Sequence, residues 1–349
     1  MSDRARALYD GAIVIDGLNV SNWDSPAVYA SLQKGRITAI SATLATWEGF
    51  QETMDAVAGW LRRFREREDI VQVKSTEDIR KAKRSGRTGV ILSFQNASPI
   101  ENDLDRLALF HALGVKVIQL TYHERNLLGN GCFERRDDGL SNFGVDAVRE
   151  MNRLGILIDL SHVGDRTTLE AIEVSEKPVT VTHANARAFY DHPRNKQDEA
   201  LKRLAAKGGV VGTTPFCNFL PKRFESTLED YIDAVDDMVQ RVGIDHVAVG
   251  TDNTQDQPLS FWRYITSQQG TGYPSTFSDT SMDYLNLSFQ PKGLEGPHEF
   301  PNLAEALLNR GYSDEDTVKI LGGNWMRIFE EVWQPAIEWA TRPRDSTHE

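Results

Sequence analysis

The stretch Gly155-Ile156-Leu157-Ile158-Asp159-Leu160-Ser161-His162 decides the fold that we predict for this chain. An apolar run that ends in polar residues is typical of a parallel strand buried on both faces, with its last residues at the edge of a sheet. An amphipathic segment, Gly144–Leu154, precedes this run, and another, Arg166–Ser175, follows it. The order helix, strand, helix predicts a repeated β/α unit.

The same pattern recurs along most of the chain. The predicted strands are Ala12–Asn19, Ile37–Leu44, Thr88–Gln95, Val115–Tyr122, Ile156–His162, Val179–Ala184, Val210–Phe216 and His246–Asp252. The other predicted helices are Glu48–Glu66, Asp103–Leu113, Asp198–Lys207 and Leu228–Val242. Eight parallel strands with crossover helices are typical of an α/β fold of the (β/α)₈ TIM-type barrel class.

The remaining C-terminal part completes the predicted domain organisation. Residues 253–301 are rich in Gly, Ser, Thr, Pro and aromatic residues, which favours an ordered active-site loop or lid. Two extra helices, near Asn302–Arg310 and Ser313–Trp333, are expected to close the domain. We predict one barrel domain for the whole chain, with its core at about 12–333 and a C-terminal tail at 336–349.

Charge and composition exclude some partners. The formal net charge of −12 opposes nonspecific binding to nucleic acid or to an anionic membrane surface. No stretch approaches the roughly 20 apolar residues of a membrane span, and the N-terminus lacks the apolar region of a secretory signal. A cytoplasmic location is therefore expected. Cys132 and Cys217 are too few for a disulfide framework, and we interpret both as ordinary thiols.

Three predicted strands end in residues that can bind a metal or move a proton. The fifth strand ends at His162, the sixth leads to His183, and the eighth ends at Asp252. Barrel enzymes place their chemistry where the carboxyl ends of the strands meet, so these side chains are expected to share one mouth. Two neutral imidazoles and a carboxylate suit a divalent metal such as zinc.

The third and fourth strands add further polar candidates. Tyr122 can donate a hydrogen bond to an oxyanion, and His123 can act as an acid or base or add a third imidazole. Gln95 and Asn126 are candidates for binding substrate. The alternative is a solvated loop in which His123 and Glu124 pair with neighbouring side chains.

Arg194, in the segment His192-Pro193-Arg194-Asn195 after the sixth strand, is the candidate for substrate recognition. A guanidinium beside the mouth suits bidentate capture of a substrate carboxylate. A structural salt bridge is the competing explanation.

Together these segments resemble the membrane dipeptidase family, a branch of the amidohydrolase-type barrels, from about Ile13 to Trp333. The carriers of this resemblance are Met151-Asn152-Arg153-Leu154-Gly155, Asp159-Leu160-Ser161-His162-Val163, Thr182-His183, His192-Pro193-Arg194-Asn195, Gly208-Gly209-Val210, Asp245-His246-Val247, Gly250-Thr251-Asp252 and Gly322-Gly323-Asn324.

The resemblance implies roles for several residues. Members commonly hold two zinc ions and often form homodimers. His162 and His183 look like ligands of the second metal, Asp252 like the proton-carrying aspartate, and Arg194 like the carboxylate-binding arginine. Tyr122 stands where better-known members have a substrate-binding histidine.

The chain also departs from the family pattern. Where that pattern is close to DGHND, this sequence has Asp16-Gly17-Leu18-Asn19-Val20, so Leu18 and Val20 replace both ligands of the first metal. Gln95 stands at the position of the bridging glutamate, and a neutral amide is a poor ligand for two divalent ions. We therefore expect at most one ion, zinc or another divalent metal, or none.

Three functions follow from these observations. The leading hypothesis is a dipeptidase-like hydrolase of a small, carboxylate-bearing amide or dipeptide, with ordinary binuclear peptidase activity weak or absent. The second is a metal-independent lyase, isomerase or dehydratase that uses Asp252 and the histidines as acids and bases. The third is a noncatalytic homologue.

Overall fold

Nine parallel strands form the sheet at the centre of the fold. The structure is a computed structural model, and it describes residues 1–273, 283–284 and 286–333. The strands within these residues are β1 Ile15–Asn19, β2 Ala39–Ala45, β3 Ile70–Gln72, β4 Thr88–Phe94, β5 Val115–Gln119, β6 Leu157–Asp159, β7 Thr180–Val181, β8 Val210–Thr213 and β9 Val247–Val249. All eight predicted strands are present, and β3 is the addition. The predicted tail 336–349 lies outside the described residues.

The sheet closes into a barrel. Its strand order is β1-β2-β4-β5-β6-β7-β8-β9, and β3 pairs with the first half of β4. The two end strands meet just beyond their carboxyl ends, where Asn19 and Asn253 form a parallel bridge. The amide of Asp252 donates to the carbonyl of Leu18 at 3.0 Å. The predicted TIM-type barrel is therefore confirmed.

Helices surround this barrel. They are α1 Asp3–Gly11, α2 Pro26–Gly35, α3 Phe50–Glu66, α4 Thr76–Ser85, α5 Asp105–Leu113, α6 Asn142–Leu154, α7 Asp165–Val174, α8 Asp198–Ala206, α9 Leu228–Val242, α10 Leu259–Ile265, α11 Pro301–Arg310, α12 Asp314–Val318 and α13 Asn324–Val332. Within the described ranges, no helix has the length and apolar character needed to cross a membrane.

Several helices differ from the sequence prediction. α1, α2, α4 and α10 were not predicted, and the predicted helix Ser313–Trp333 is divided into α12 and α13. The division occurs at a π-helical turn that contains Gly322. In α1, Ala5 and Tyr9 are buried, so the packed domain begins before the predicted start near position 12.

From β4 onwards, the strands that were predicted end earlier than expected. The predicted strand Ile156–His162 is β6, which ends at Asp159. The reason is that the carboxylate of Asp159 accepts hydrogen bonds from the amides of Ser161 at 3.0 Å and Thr182 at 2.9 Å. These amides bond to a side chain instead of continuing the ladder, so the residues that follow turn into the mouth of the barrel.

Two glycines permit close packing of strand ends around β7. A Cβ atom at Gly212 would lie 2.0 Å from the carbonyl oxygen of Thr182, and one at Gly250 would lie 1.7 Å from the same oxygen. Real Cβ atoms do not approach backbone this closely, so glycine is required at both positions. The residues after β7 and β9 are thereby brought together.

Candidate active site

The carboxyl ends of the strands surround a cavity of about 140 Å³. Tyr122 and His123 follow β5, His162 follows β6, and Asp252 follows β9. Together with Arg194, these four predicted site residues line the cavity. The remaining predicted metal ligand, His183, follows β7 and lies directly behind His162.

Two buried aspartates shape this mouth in the same way. Asp159 accepts from the amide of Thr182 at 2.9 Å and from its hydroxyl at 2.6 Å. Asp16 accepts from the amide of Thr251 at 2.8 Å and from its hydroxyl at 2.6 Å. We call each arrangement an Asp–Thr clamp. In both cases the residue after the threonine is a candidate site residue, namely His183 or Asp252.

The three histidines form a row. The Nε2 atoms of His162 and His183 are 2.8 Å apart, and the Nδ1 atoms of His123 and His162 are 3.3 Å apart. The Nδ1 atom of His183 lies 2.8 Å from the hydroxyl of Thr182. Because that hydroxyl donates to Asp159, it accepts from His183, so we assign the His183 proton to Nδ1.

Burial of the histidine row favours the neutral form of its three imidazoles. Burial lowers the pKa of His123, His162 and His183 well below the usual value, and the positive charge of Arg194 lowers each pKa further. The ring of Tyr122 stacks on that of His162, with centroids 4.1 Å apart and an angle of 24° between the planes. These imidazoles can therefore act as hydrogen-bonding groups or as neutral metal ligands.

Arg194 carries a fully buried positive charge. Its Nη1 atom donates to the carbonyl of Ser161 at 2.6 Å, and Nη2 donates to that of His183 at 3.1 Å. Among the described residues, its Nε atom has no hydrogen-bond partner and no carboxylate lies within ion-pair distance of the guanidinium. A buried cation that is not directly paired with an anion is costly, so the site suits an anionic group on a ligand.

Asp252 supplies the opposite charge. Burial raises its pKa to about 7; Arg194 opposes this rise, whereas the nearby carboxylates of Asp16 and Asp159 add to it. Its φ of 53° lies in the left-handed region, and His123 has a similar φ of 54°. Non-glycine residues held in this way concentrate at functional sites, and each costs on the order of 1–3 kcal/mol. A carboxyl group with a pKa near neutrality is suited to proton transfer.

Two predicted substrate-binding residues are placed away from this cavity. Gln95 is buried and donates to the hydroxyl of Thr43 at 3.0 Å. Asn126 donates to Asn96 at 2.8 Å and to the carbonyl of Leu120 at 2.7 Å, which fixes the loop after β5. It lines a separate cavity nearby. Their roles in binding substrate stay predictions.

The sequence profile described as membrane dipeptidase (peptidase family M19) matches residues 4–259 and 278–341. This match covers most of the chain, including the strand ends that form the cavity. The chain belongs to the membrane dipeptidase family. The resemblance predicted from the sequence is thus confirmed.

Relatives of this membrane dipeptidase family member are known in sequence and in structure. The dipeptidase tcpJ of Claviceps purpurea is 31% identical over 260 residues, which are 73% of this chain and 54% of tcpJ. The chain thus spans about half the length of that relative. The structure of an amidohydrolase from Pseudomonas aeruginosa is 40% identical to this chain and has a TM-score of 0.89. The superposition includes 94% of this chain and 99% of the amidohydrolase.

A more distant structure has the same fold. A metallopeptidase from Rhodobacter sphaeroides, solved with a phosphinate mimic of the dipeptide L-Ala-D-Ala, has a TM-score of 0.77. It is 20% identical to this chain, and the superposition includes 92% of this chain and 100% of the metallopeptidase. At this identity the comparison establishes the fold alone.

The described part of this membrane dipeptidase family member offers few metal-binding atoms at the mouth of the barrel. Leu18 and Val20 are buried apolar side chains and offer no ligand atom. Among the described residues, no group of three or more His, Cys, Asp or Glu side chains is arranged to hold a metal ion. For one ion, His162 and His183 offer converging nitrogens, which would need to separate by about 0.5 Å to suit a tetrahedral ion.

Sequence reasoning missed the aromatic part of the cavity. Phe216, Phe219, Trp262 and Phe289 all line it, together with Asn218. Trp262 and Phe289 come from the predicted lid region 253–301, whose described part includes α10. Clusters of aromatic residues in that loop were the available signal, but their order along the chain did not reveal which rings face the site.

Proposed function

We propose that this chain is a hydrolase that cleaves an amide bond in a small molecule bearing a carboxylate. The observation that carries the proposal is a buried Arg194, without a carboxylate partner among the described residues, in the same cavity as Asp252, whose pKa is raised to about 7. The positive charge of Arg194 suits binding of the substrate carboxylate, and the carboxyl group of Asp252 suits proton transfer. The named dipeptidases among the relatives support the reaction class.

Each residue has a distinct part in this reaction. The Nε–H of Arg194, which has no partner among the described residues, donates to the substrate carboxylate and fixes its position. Asp252, in its ionised form, takes a proton from the attacking water, and it returns that proton to the amine as the carbon–nitrogen bond breaks. Tyr122 lines the cavity, and its hydroxyl donates to the developing oxyanion.

We further propose that the site takes at most one divalent ion. His162 and His183 are the residues that would hold it, because their Nε2 atoms converge. When bound, such an ion would polarise the carbonyl and make a water molecule more acidic. Leu18, Val20 and Gln95 argue against a second ion, so efficient peptidase activity of the binuclear type is not expected.

The test compares an N-acyl amino acid with the corresponding carboxamide. Wild-type protein should hydrolyse the acid with a kcat/KM at least about tenfold higher, and Arg194→Met should abolish this preference. Arg223→Met is the control, because Arg223 is also arginine but lies exposed on the surface. Asp252→Asn should reduce kcat for both substrates. No hydrolysis across a panel of dipeptides and N-acyl amino acids would refute the proposal.

A second candidate is a metal-independent lyase, isomerase or dehydratase. It is favoured by the donor set, since two imidazoles are fewer than the three protein ligands of an ordinary catalytic zinc site. Metal analysis of protein purified without chelator distinguishes the two. Full activity in metal-free protein supports the second candidate, whereas loss and recovery of activity with one equivalent of metal supports the first.

A further inference from the structure

A set of stacked rings forms one side of the cavity. We call Phe216, Phe219, Trp262 and Phe289 the aromatic wall. These residues belong to an apolar cluster separate from the barrel core. Trp262 and Phe289 have centroids 4.4 Å apart and planes at 26°, and Phe216 lies 5.2 Å from Phe289 at the same angle. The rings therefore stack on one another and together make one side of the cavity apolar.

A polar atom beside this wall has no partner. The amide oxygen Oδ1 of Asn218 is buried, and no hydrogen bond to it is found among the described residues. Asn218 lines the same cavity as the wall and Arg194. A buried carbonyl oxygen without a donor is unfavourable, so a ligand N–H group suits this position.

The cavity has room for a ring beside the aromatic wall. Its volume of about 140 Å³ is close to that of an apolar protein cavity that admits one benzene molecule, and the cavity is open to solvent on one side. The aromatic wall can therefore receive one ring of the ligand, and the other groups of the ligand can extend beyond that space. A quaternary ammonium group fits less well, because the rings stack along one side instead of enclosing a cation, and Arg194 would repel it.

Three different recognition groups thus share one small cavity. Arg194 suits a carboxylate, Asn218 suits an N–H donor, and the aromatic wall suits a flat apolar group. Because all three line the same cavity, the three matching groups on the ligand must lie close together. An α-carbon that bears a carboxylate, an acylated nitrogen and an aromatic side chain has this arrangement.

We propose that the substrate is an N-acylated aromatic amino acid, which includes a dipeptide with an aromatic C-terminal residue. This inference rests on the proposed hydrolase function and specifies its substrate class. The carboxylate binds Arg194, the N–H of the scissile amide donates to Asn218, and the aromatic side chain packs against the aromatic wall. Asn218 is then a residue that determines specificity by binding the leaving nitrogen.

Binding measured by calorimetry tests this inference apart from hydrolysis. N-acetylphenylalanine should bind the full chain at least about tenfold more tightly than N-acetylalanine, because its ring buries apolar surface against the wall. Phe289→Leu or Phe216→Leu should remove most of this preference. Phe224→Leu is the matched control, because Phe224 packs against Phe289 at 5.5 Å without lining the cavity.

A second ligand pair tests Asn218. Asn218→Ala should weaken binding of N-acetylphenylalanine about fivefold but leave N-acetyl-N-methylphenylalanine, which lacks the N–H, unaffected. Equal affinity for the alanine and phenylalanine ligands, or no binding of either, overturns the inference.

The two proposals fail in different ways. Preferential binding of N-acetylphenylalanine without its cleavage would refute the proposed hydrolase function but would support the proposed preference for an aromatic side chain. Cleavage of N-acetylalanine and N-acetylphenylalanine with equal kcat/KM would refute the proposed preference for an aromatic side chain but would support the proposed hydrolase function.

Discussion

Replacing Asp252 by Asn should make the protein more stable at neutral pH while it removes activity. The pKa of Asp252 is raised from 3.8 to about 7, so the folded state disfavours the ionised carboxylate. A shift of about three units corresponds to about 4 kcal/mol, at 1.36 kcal/mol per unit. This cost is absent below pH 4, grows as the pH rises towards 7, and is fully present above it.

Urea unfolding of both proteins from about pH 4 to about pH 8 measures this effect. The free energy of unfolding of Asp252→Asn, minus that of the wild type, should increase by up to about 1.4 kcal/mol per pH unit and then become constant. A difference that does not change with pH would refute the reasoning. Asp256→Asn is the matched control, because Asp256 also has a left-handed φ, of 60°, but an exposed side chain.

Three further predictions concern the metal, the clamps and the packing of strand ends. Protein saturated with zinc should contain no more than one ion per chain by mass spectrometry, and two ions would contradict the assigned donor set. Asp159→Asn, which loosens the support of His183, should lower kcat about 10- to 100-fold with little change in KM. Gly250→Ala should lower the free energy of unfolding by about 2 kcal/mol or more, because its Cβ would meet the Thr182 carbonyl. Gly11→Ala, which meets no atom within 4 Å, should be nearly neutral.

The barrel could be predicted because its strands are buried on both faces and therefore appear as apolar runs. β3 was missed because Ile70–Gln72 is only three residues long and follows a charged segment. α4 was missed because most of Thr76–Ser85 is polar, with Ile79 and Ala82 as its buried residues. Patterns of apolar residues do not reveal elements that contribute so little to the core.

Prediction of the site had a similar limit. His162, His183 and Asp252 could be grouped because each follows a strand, and parallel strands bring their carboxyl ends together. The position of Trp262 and Phe289 depends on how a long loop folds over the mouth, and this is not encoded by a periodic pattern. The apolar nature of the cavity therefore became visible only in three dimensions.

The two Asp–Thr clamps fix the backbone at the mouth of the barrel, whereas other side chains carry the proposed chemistry. Each clamp is built from a carboxylate, a hydroxyl and a main-chain amide, and neither uses the side chain at position 18, 20 or 252. Those three positions can therefore carry different chemical groups while the surrounding backbone keeps its shape. Unlike a zinc finger, whose folding depends on its ion, such a barrel can be redesigned for new reactions one side chain at a time.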